Sequence, residues 1–180
     1  MLRRTFLVSP LVAAAAQYEE SRGETPWVPS PDEAIETMLR LAKVGRGDVV
    51  YDLGCGDGRV VIMAAQKFGA KAVGIDIEPV RIGEANLAAQ AAGVAGNVRF
   101  VEQDFHQADI SPASVVALYL YTREMTKLKP KLLSQLKPGS RVVAYLFNGM
   151  GDWKPKTVVQ KHLHPVYLWV VPKRERTRNI

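Results

Sequence analysis

The chain is poor in the residues that build covalent cross-links and metal centres. Its 180 residues include one cysteine and three histidines. A single cysteine excludes an intramolecular disulfide and a cysteine metal cluster. His162 and His164 alternate on one predicted strand face, but no further metal ligand is evident. His106 is typical of a surface loop, with an approach to a site near Asp104 as the alternative. We therefore expect no metal.

The sequence also lacks an apolar run of the roughly 20 residues that a transmembrane helix needs. Residues 1–16 combine two arginines, a short apolar stretch and an alanine cluster, with no acid before Glu19. This pattern is typical of an export signal, an organellar transit segment or a membrane-surface anchor, and the three interpretations stay open. Residues 17–26 resemble a linker, so we expect a targeting or anchor segment with its linker over 1–26 and the folded domain over 27–180.

The remaining composition predicts one globular domain. A hydrophobic content of 47% supports one sizeable core and leaves no room for a separate substrate domain. The net charge of +6 favours an acidic partner or a membrane surface, although ordinary surface lysines and arginines would give the same value. We expect a monomer. Ser30, Pro31 and Glu33 predict a helix start, with Ser30 as the cap.

Glycines alternate with other residues directly after a predicted buried strand. The segment VVYDLGCGDG, residues 49–58, passes from apolar residues through Asp52 to Gly54, Gly56 and Gly58. Glycine lets the backbone turn sharply off a strand and approach a ligand closely. We interpret the segment as a loop that binds a nucleotide-containing cofactor.

Two further predicted strands end in an acid. Asp76 follows about twenty residues after the glycine loop, and Asp104 follows the predicted strand that begins at Val98. Acids at the ends of successive parallel strands lie at one edge of the sheet, where open α/β folds bind ligands. At this spacing Asp76 is expected to accept hydrogen bonds from ribose hydroxyls, with a helix cap before Pro79 as the alternative.

Two cofactor classes compete for the glycine loop. A dinucleotide loop would carry glycine or alanine at position 59, where this chain has Arg59. Asp52 and Asp57 would repel a pyrophosphate, whereas they suit S-adenosylmethionine, which has an ammonium, a sulfonium and no phosphate. The residues favour this methyl donor, while a nicotinamide-dependent oxidoreductase and a non-catalytic cofactor-binding protein stay open.

The stretch from Trp27 to about Pro172 resembles the class I S-adenosylmethionine-dependent methyltransferases, whose first motif matches DLGCGDG at 52–58. Within that superfamily it is similar to a small group that includes the lysine methyltransferases of the ATP synthase c subunit and of the adenine nucleotide carrier. The narrower resemblance is carried by four segments, VPSP at 28–31, YDLGCGDGR at 51–59, YLY at 119–121 and LKPGSRVV at 136–143.

The resemblance implies a Rossmann-like α/β sandwich with a mostly parallel, seven-stranded sheet and a C-terminal antiparallel hairpin. It implies that Asp52 orients the cofactor ammonium and that Asp104 receives the adenine amino group, with Phe105 or Ile77 flanking the ring. Capping of a following turn is the alternative role for Asp104. The expected cofactor-binding residues are Asp52, Gly54, Cys55, Gly56, Gly58, Asp76, Ile77, Asp104 and Phe105.

The resemblance also implies a protein lysine as the methyl acceptor, with a small molecule as the alternative. Nucleic acid is disfavoured because the predicted fourth strand lacks an Asn-Pro-Pro-Tyr-type motif. Tyr119 and Tyr121, at the expected end of that strand, are the candidate catalytic residues that steer the amine, and plain packing is their alternative. Trp27 is expected to close the pocket. Since the cofactor is made inside cells, we expect a cytoplasmic or membrane-associated protein, with export or organellar targeting left open by residues 1–16.

Overall fold

The structure is a computed structural model that describes residues 29–160 and 163–173. The expected N-terminal segment, the domain boundary at 26/27, Trp27 and His162 lie outside the described residues. In chain order the elements are α1 (Asp32–Leu41), β1 (Val49–Leu53), α2 (Arg59–Phe68), β2 (Lys71–Asp76), α3 (Pro79–Ala91), β3 (Val98–Glu102), β4 (Val115–Leu118), α4 (Thr122–Gln135), β5 (Arg141–Tyr145), β6 (Thr157–Val159) and β7 (Val166–Val170).

The seven strands form one sheet in the order β3-β2-β1-β4-β5-β7-β6. Strands β1 to β5 pair in parallel, and β7 is antiparallel to both β5 and β6. This confirms the expected Rossmann-like sheet with its C-terminal hairpin. The chain leaves β1 towards β3 and then returns to start β4 on the other side of β1, so the strand order reverses there. Such a reversal opens a crevice at the carboxyl ends of the strands.

Apolar residues cover both faces of the central strands, because helices pack on both sides of a parallel sheet. All four residues of β4 are buried. One face packs against α1 and α2 through residues such as Leu39 and Val61. The other face packs against α4 through Met125, Leu128 and Leu132. None of the helices in the described part of the chain is long and apolar enough to cross a membrane.

The start of α1 differs from the sequence prediction. The helix begins at Asp32 with Pro31 in the cap position, and no side chain makes a capping hydrogen bond. The prediction that Ser30 caps this helix is therefore wrong. Ser30 is buried, and its backbone carbonyl accepts a hydrogen bond of 3.1 Å from Nη1 of Arg59. This contact holds the chain before α1 against the glycine loop.

Candidate active site

The carboxyl ends of β1 to β4 surround a cavity of about 550 Å³. This volume is within the range of ligand pockets. The walls come from the chain before α1, from the loops that follow the four strands and from the first turns of α2, α3 and α4. The residues that line the cavity are Pro29, Ser30, Asp52, Gly54, Cys55, Asp57, Arg59, Val60, Asp76, Ile77, Glu78, Arg81, Asp104, Phe105, His106, Tyr119, Leu120 and Glu124.

Most of the residues expected to bind the cofactor lie on this lining. Asp52, Gly54, Cys55, Asp76, Ile77, Asp104 and Phe105 line the cavity, whereas Gly56 and Gly58 are not among its lining residues. Of the two tyrosines, Tyr119 lines the cavity. Tyr121 is buried at the cap position of α4, with its ring centroid 5.1 Å from that of Phe147, so it has the packing environment named as its alternative.

Glycine is required at different positions of the loop for different structural reasons. Gly54 and Gly58 both have positive φ angles, 84° and 78°. A Cβ atom at Gly58 would lie 2.6 Å from the ring of Phe100, so this position needs glycine for close helix–sheet packing. Gly54 faces the cavity, where a Cβ atom would lie 3.3 Å from Leu120. Of the three loop glycines, Gly54 is the one that lines the cavity.

Asp52 presents a buried carboxylate to the cavity. The residue is 5% exposed, and its carboxylate makes no hydrogen bond to any other described residue. Burial raises the pKa of Asp52 well above its ordinary value, and the nearby carboxylates of Asp76 and Asp57 raise it further. Ionisation of such a carboxylate is costly until an opposite charge arrives. The cavity is thus suited to a ligand with a cationic group near Asp52.

Asp57 has its own counter-charge. Its carboxylate accepts hydrogen bonds from Nε and Nη2 of Arg59 at 3.0 Å and 2.6 Å. Burial opposes ionisation of Asp57, but the hydrogen bonds and the positive charge of Arg59, with a smaller contribution from the charge of Arg81, together lower the pKa of Asp57. Sequence reasoning used Arg59 only as a departure from the dinucleotide pattern and missed this pairing. Arg59 leaves Asp52 as the acid at β1 without a cationic partner among the described residues.

Asp76 connects β2 to the glycine loop. Oδ2 accepts a hydrogen bond of 2.8 Å from the amide of Gly56, and Oδ1 accepts one of 3.1 Å from the amide of Glu78. Each carboxylate oxygen has two lone pairs, so both oxygens keep one for a further donor. Asp76 therefore fixes the loop and still offers two acceptors to the cavity, as a ribose diol requires.

The loop after β3 supplies the opposite end of the cavity. Oδ1 of Asp104 accepts a hydrogen bond of 2.8 Å from the amide of His106, so the expected alternative of a turn contact is present as well. The rings of Phe105 and His106 lie 4.7 Å apart. Sequence reasoning named an approach of His106 to the site but favoured a surface position, and it missed Glu124 as a lining residue. The one sequence feature that could have indicated these two residues is that each lies within a few residues after the end of a predicted strand.

Side chains that commonly bind metals do not cluster in the part of the chain that the structure describes. Among residues 29–160 and 163–173 no group of three or more histidine, cysteine or acidic side chains is arranged to hold a metal ion. His164 is buried, with its ring against the edge of Tyr145. Cys55 is buried in the glycine loop, and burial together with the nearby acids Asp52 and Asp76 raises the pKa of its thiol. The thiol is therefore a poor nucleophile.

A sheet with this strand order, a glycine loop at its switch point and an acid-rich cavity define a Rossmann-like methyltransferase of class I. The sequence profile of the ANTKMT methyltransferase domain matches residues 52–157, which is more than half of the chain. The chain belongs to this family.

Three similar proteins illustrate the relationship. A protein-lysine N-methyltransferase of Saccharolobus islandicus is 46% identical over 81% of this chain and 93% of its own length. The adenine nucleotide translocase lysine N-methyltransferase of Mus musculus is 31% identical over 83% of this chain, which spans only 65% of the length of that relative. A crystal structure of an RNA methyltransferase from Salinibacter ruber with S-adenosylhomocysteine is 45% identical, has a TM-score of 0.80, and is matched over 83% of this chain and 97% of its own.

These relationships and the cavity agree on the cofactor. The family and the structural relative with S-adenosylhomocysteine support S-adenosylmethionine, and an acid-rich cavity is compatible with its ammonium and its ribose diol. The chain is an S-adenosylmethionine-dependent methyltransferase. The nicotinamide-dependent and non-catalytic alternatives are therefore wrong.

Replacing Asp52 by asparagine tests the match between this carboxylate and the ammonium. We expect Asp52→Asn to weaken the binding of S-adenosylhomocysteine by roughly 10- to 100-fold, because the amide oxygen still accepts a hydrogen bond from the ammonium but without the attraction of opposite charges. Binding of 5′-methylthioadenosine, which has no ammonium, should change little. Isothermal titration calorimetry measures both, with Asp109→Asn, an exposed acid outside the cavity lining, as the control. An equal loss of affinity for the two ligands would contradict a contact between Asp52 and the ammonium.

Proposed function

We propose that this methyltransferase transfers methyl groups to the amine of a protein lysine. Two relatives with nearly equal identity are named for different acceptors, one for protein lysine and one for RNA. Overall similarity therefore does not distinguish the acceptors, and the argument rests on the chemistry of the cavity. The observation that carries the proposal is the sign of the charge there.

The cavity is acidic although the chain as a whole is basic. Six carboxylates line it, from Asp52, Asp57, Asp76, Glu78, Asp104 and Glu124, against the two guanidinium groups of Arg59 and Arg81. The whole chain has a net charge of +6. A cavity lined by one sign of charge attracts ligands of the opposite sign. Even with Asp52 uncharged, the acids outnumber the guanidinium groups, so the charge of the cavity supports an amine acceptor over a phosphodiester backbone.

In this proposal, each acid at the end of a strand contacts a different part of the cofactor. Asp52 accepts the ammonium of the methionine part, Asp76 accepts the ribose hydroxyls, and Asp104 accepts the adenine amino group. Phe105 and Ile77 flank the adenine ring. Gly54 and Cys55 line the methionine side of the cavity, while Gly56 and Gly58 hold the loop in shape without facing the ligand.

Tyrosine side chains gather where the acceptor amine would enter. The ring of Tyr119 lies 5.2 Å from that of Tyr145 and 6.4 Å from that of Phe147. Burial raises the pKa of Tyr119 to about 12, and the hydroxyls of Tyr145 and Tyr121 contribute to the shift. Tyr119 therefore stays protonated at neutral pH and is no general base. Its hydroxyl oxygen accepts an N–H bond and its ring presents an aromatic face to an alkylammonium.

The geometry suits catalysis by positioning. When bound, S-adenosylmethionine supplies an electrophilic methyl group on a sulfonium. The task left to the chain is to align the lone pair of the neutral amine with that methyl group. Transfer of the lysine ammonium from water to the environment of Tyr119 lowers the pKa of the lysine. This favours loss of the proton from the lysine. A hydrogen bond from the amine to the hydroxyl oxygen of Tyr119 then leaves the lone pair directed away from the ring.

Removing one hydroxyl tests this role. Tyr119→Phe is expected to lower kcat/KM for the acceptor by about tenfold, because one hydrogen bond to the amine is lost, and to leave the affinity for S-adenosylhomocysteine unchanged. The matched control is Tyr167→Phe, on β7, whose ring stacks on Trp169 and does not line the cavity. Wild-type turnover by Tyr119→Phe would leave Tyr119 with the packing role alone.

Labelling identifies the acceptor directly. We expect the protein, incubated with a cell extract and methyl-labelled S-adenosylmethionine, to place the label in protein, on the side-chain nitrogen of lysine. Mass spectrometry of the digested proteins locates it, and the Asp52→Asn variant gives the background. Label that is released by ribonuclease, or that is recovered only in small molecules, would contradict the lysine proposal.

A further inference from the structure

The segment between β3 and β4 lies along one face of α4. Residues 103–114 contain no helix or strand, and backbone hydrogen bonds in short turns and contacts with neighbouring elements hold the segment in place. Three polar contacts reach it from one helix. Glu124 contacts the side chain of His106, Lys131 donates to the carbonyl of His106 at 2.9 Å, and Gln135 accepts from the amide of Ile110 at 3.0 Å.

The spacing of these three helix residues explains why they act together. Glu124, Lys131 and Gln135 are seven and then four residues apart, which is two turns and one further turn of an α-helix. They therefore form one stripe along α4. Of the three, Glu124 is the one that lines the cavity, at the N-terminal end of the stripe.

The contact between His106 and Glu124 spans two walls of the cavity. Nε2 of His106 lies 2.9 Å from Oε2 of Glu124, and both residues line the cavity. Oε1 of Glu124 accepts a hydrogen bond of 2.6 Å from Nζ of Lys127. Burial opposes ionisation of Glu124, but the hydrogen bonds from Lys127 and His106 outweigh it and lower its pKa, so the carboxylate is charged at neutral pH.

His106 also controls its neighbours in the loop. Its amide is bound by Asp104, and its ring lies against that of Phe105. A loop that moves at His106 therefore moves the two residues proposed to contact the adenine. A loop that is already ordered before the ligand binds gives higher affinity, because binding then does not have to offset the entropy lost when the loop becomes ordered.

We propose that His106 and Glu124 form a latch that closes the adenine end of the cavity and retains the cofactor. They are positioning residues, since they act through Asp104 and Phe105. The inference rests on the proposed placement of the adenine and is independent of the acceptor. Loss of the latch leaves the loop free to open and speeds the release of S-adenosylhomocysteine.

Cofactor binding to the full chain tests the latch. His106→Ala and Glu124→Ala are each expected to raise the Kd for S-adenosylhomocysteine by about tenfold, mainly through faster dissociation. The double variant should bind no more weakly than either single variant, because both remove the same contact. The Kd for 5′-methylthioadenosine should rise by the same factor as that for S-adenosylhomocysteine, since the latch acts on the part that the two ligands share.

Two further variants separate this role from a general loss of structure. His106→Gln, whose amide still donates to the carboxylate, should recover much of the affinity that His106→Ala loses. Lys129→Met breaks the ion pair with Asp152, outside the cavity lining but on the same helix, and should leave both affinities unchanged. If His106→Ala does not fold, Glu124→Ala still measures the loss of the contact, and His106→Gln still measures its retention. Unchanged affinity in the folded variants, or losses that add in the double variant, would overturn the latch.

Discussion

The arrangement of the site depends on a carboxylate that the folded protein buries without a partner among the described residues. Asp52 ends a central strand, is 5% exposed, and lies near two other acids. Ionisation of this carboxyl group in the ligand-free protein would lower the stability of the fold. A bound cation would offset that cost, so the position is suited to binding a cation. The neighbouring contacts support this interpretation, because Arg59 neutralises Asp57 and the loop amide of Gly56 binds Asp76. Asp52 has no such partner among the described residues, as its proposed contact with the cofactor ammonium requires.

The fold makes this arrangement possible by bringing strand ends together. Because β1 lies between β2 and β4, a loop that leaves β3 and a helix that follows β4 can meet across the cavity. The contacts of Glu124, Lys131 and Gln135 use that proximity to hold an irregular segment against a rigid helix. Cofactor chemistry therefore concentrates at the switch point, and the helix on one side keeps the irregular part of the wall in place.

Local patterns were enough to predict buried strands, the glycine loop and the strand-end acids, whereas the seven-stranded architecture was predicted from the family resemblance. Asp52, Asp76 and Asp104 could be selected because each follows an apolar strand, and strand ends share one edge of a parallel sheet. His106 and Glu124 could not be paired, since 18 residues separate them and their contact depends on how the segment after β3 crosses α4. Ser30 was misassigned for a related reason. The sequence around Ser30 is typical of a helix cap. In the structure the backbone carbonyl of Ser30 accepts a hydrogen bond from Arg59, and the helix begins at Asp32 without a side-chain cap.

Titration of the Asp52 carboxyl group by carbon-13 NMR tests the central claim most directly, with Asp52→Asn used to assign the signal. In the ligand-free protein we expect Asp52 to titrate well above the ordinary aspartate pKa of about 4. Saturation with S-adenosylhomocysteine should move that pKa downwards, because the bound ammonium favours the charged form. An ordinary pKa that the ligand leaves unchanged would contradict the account.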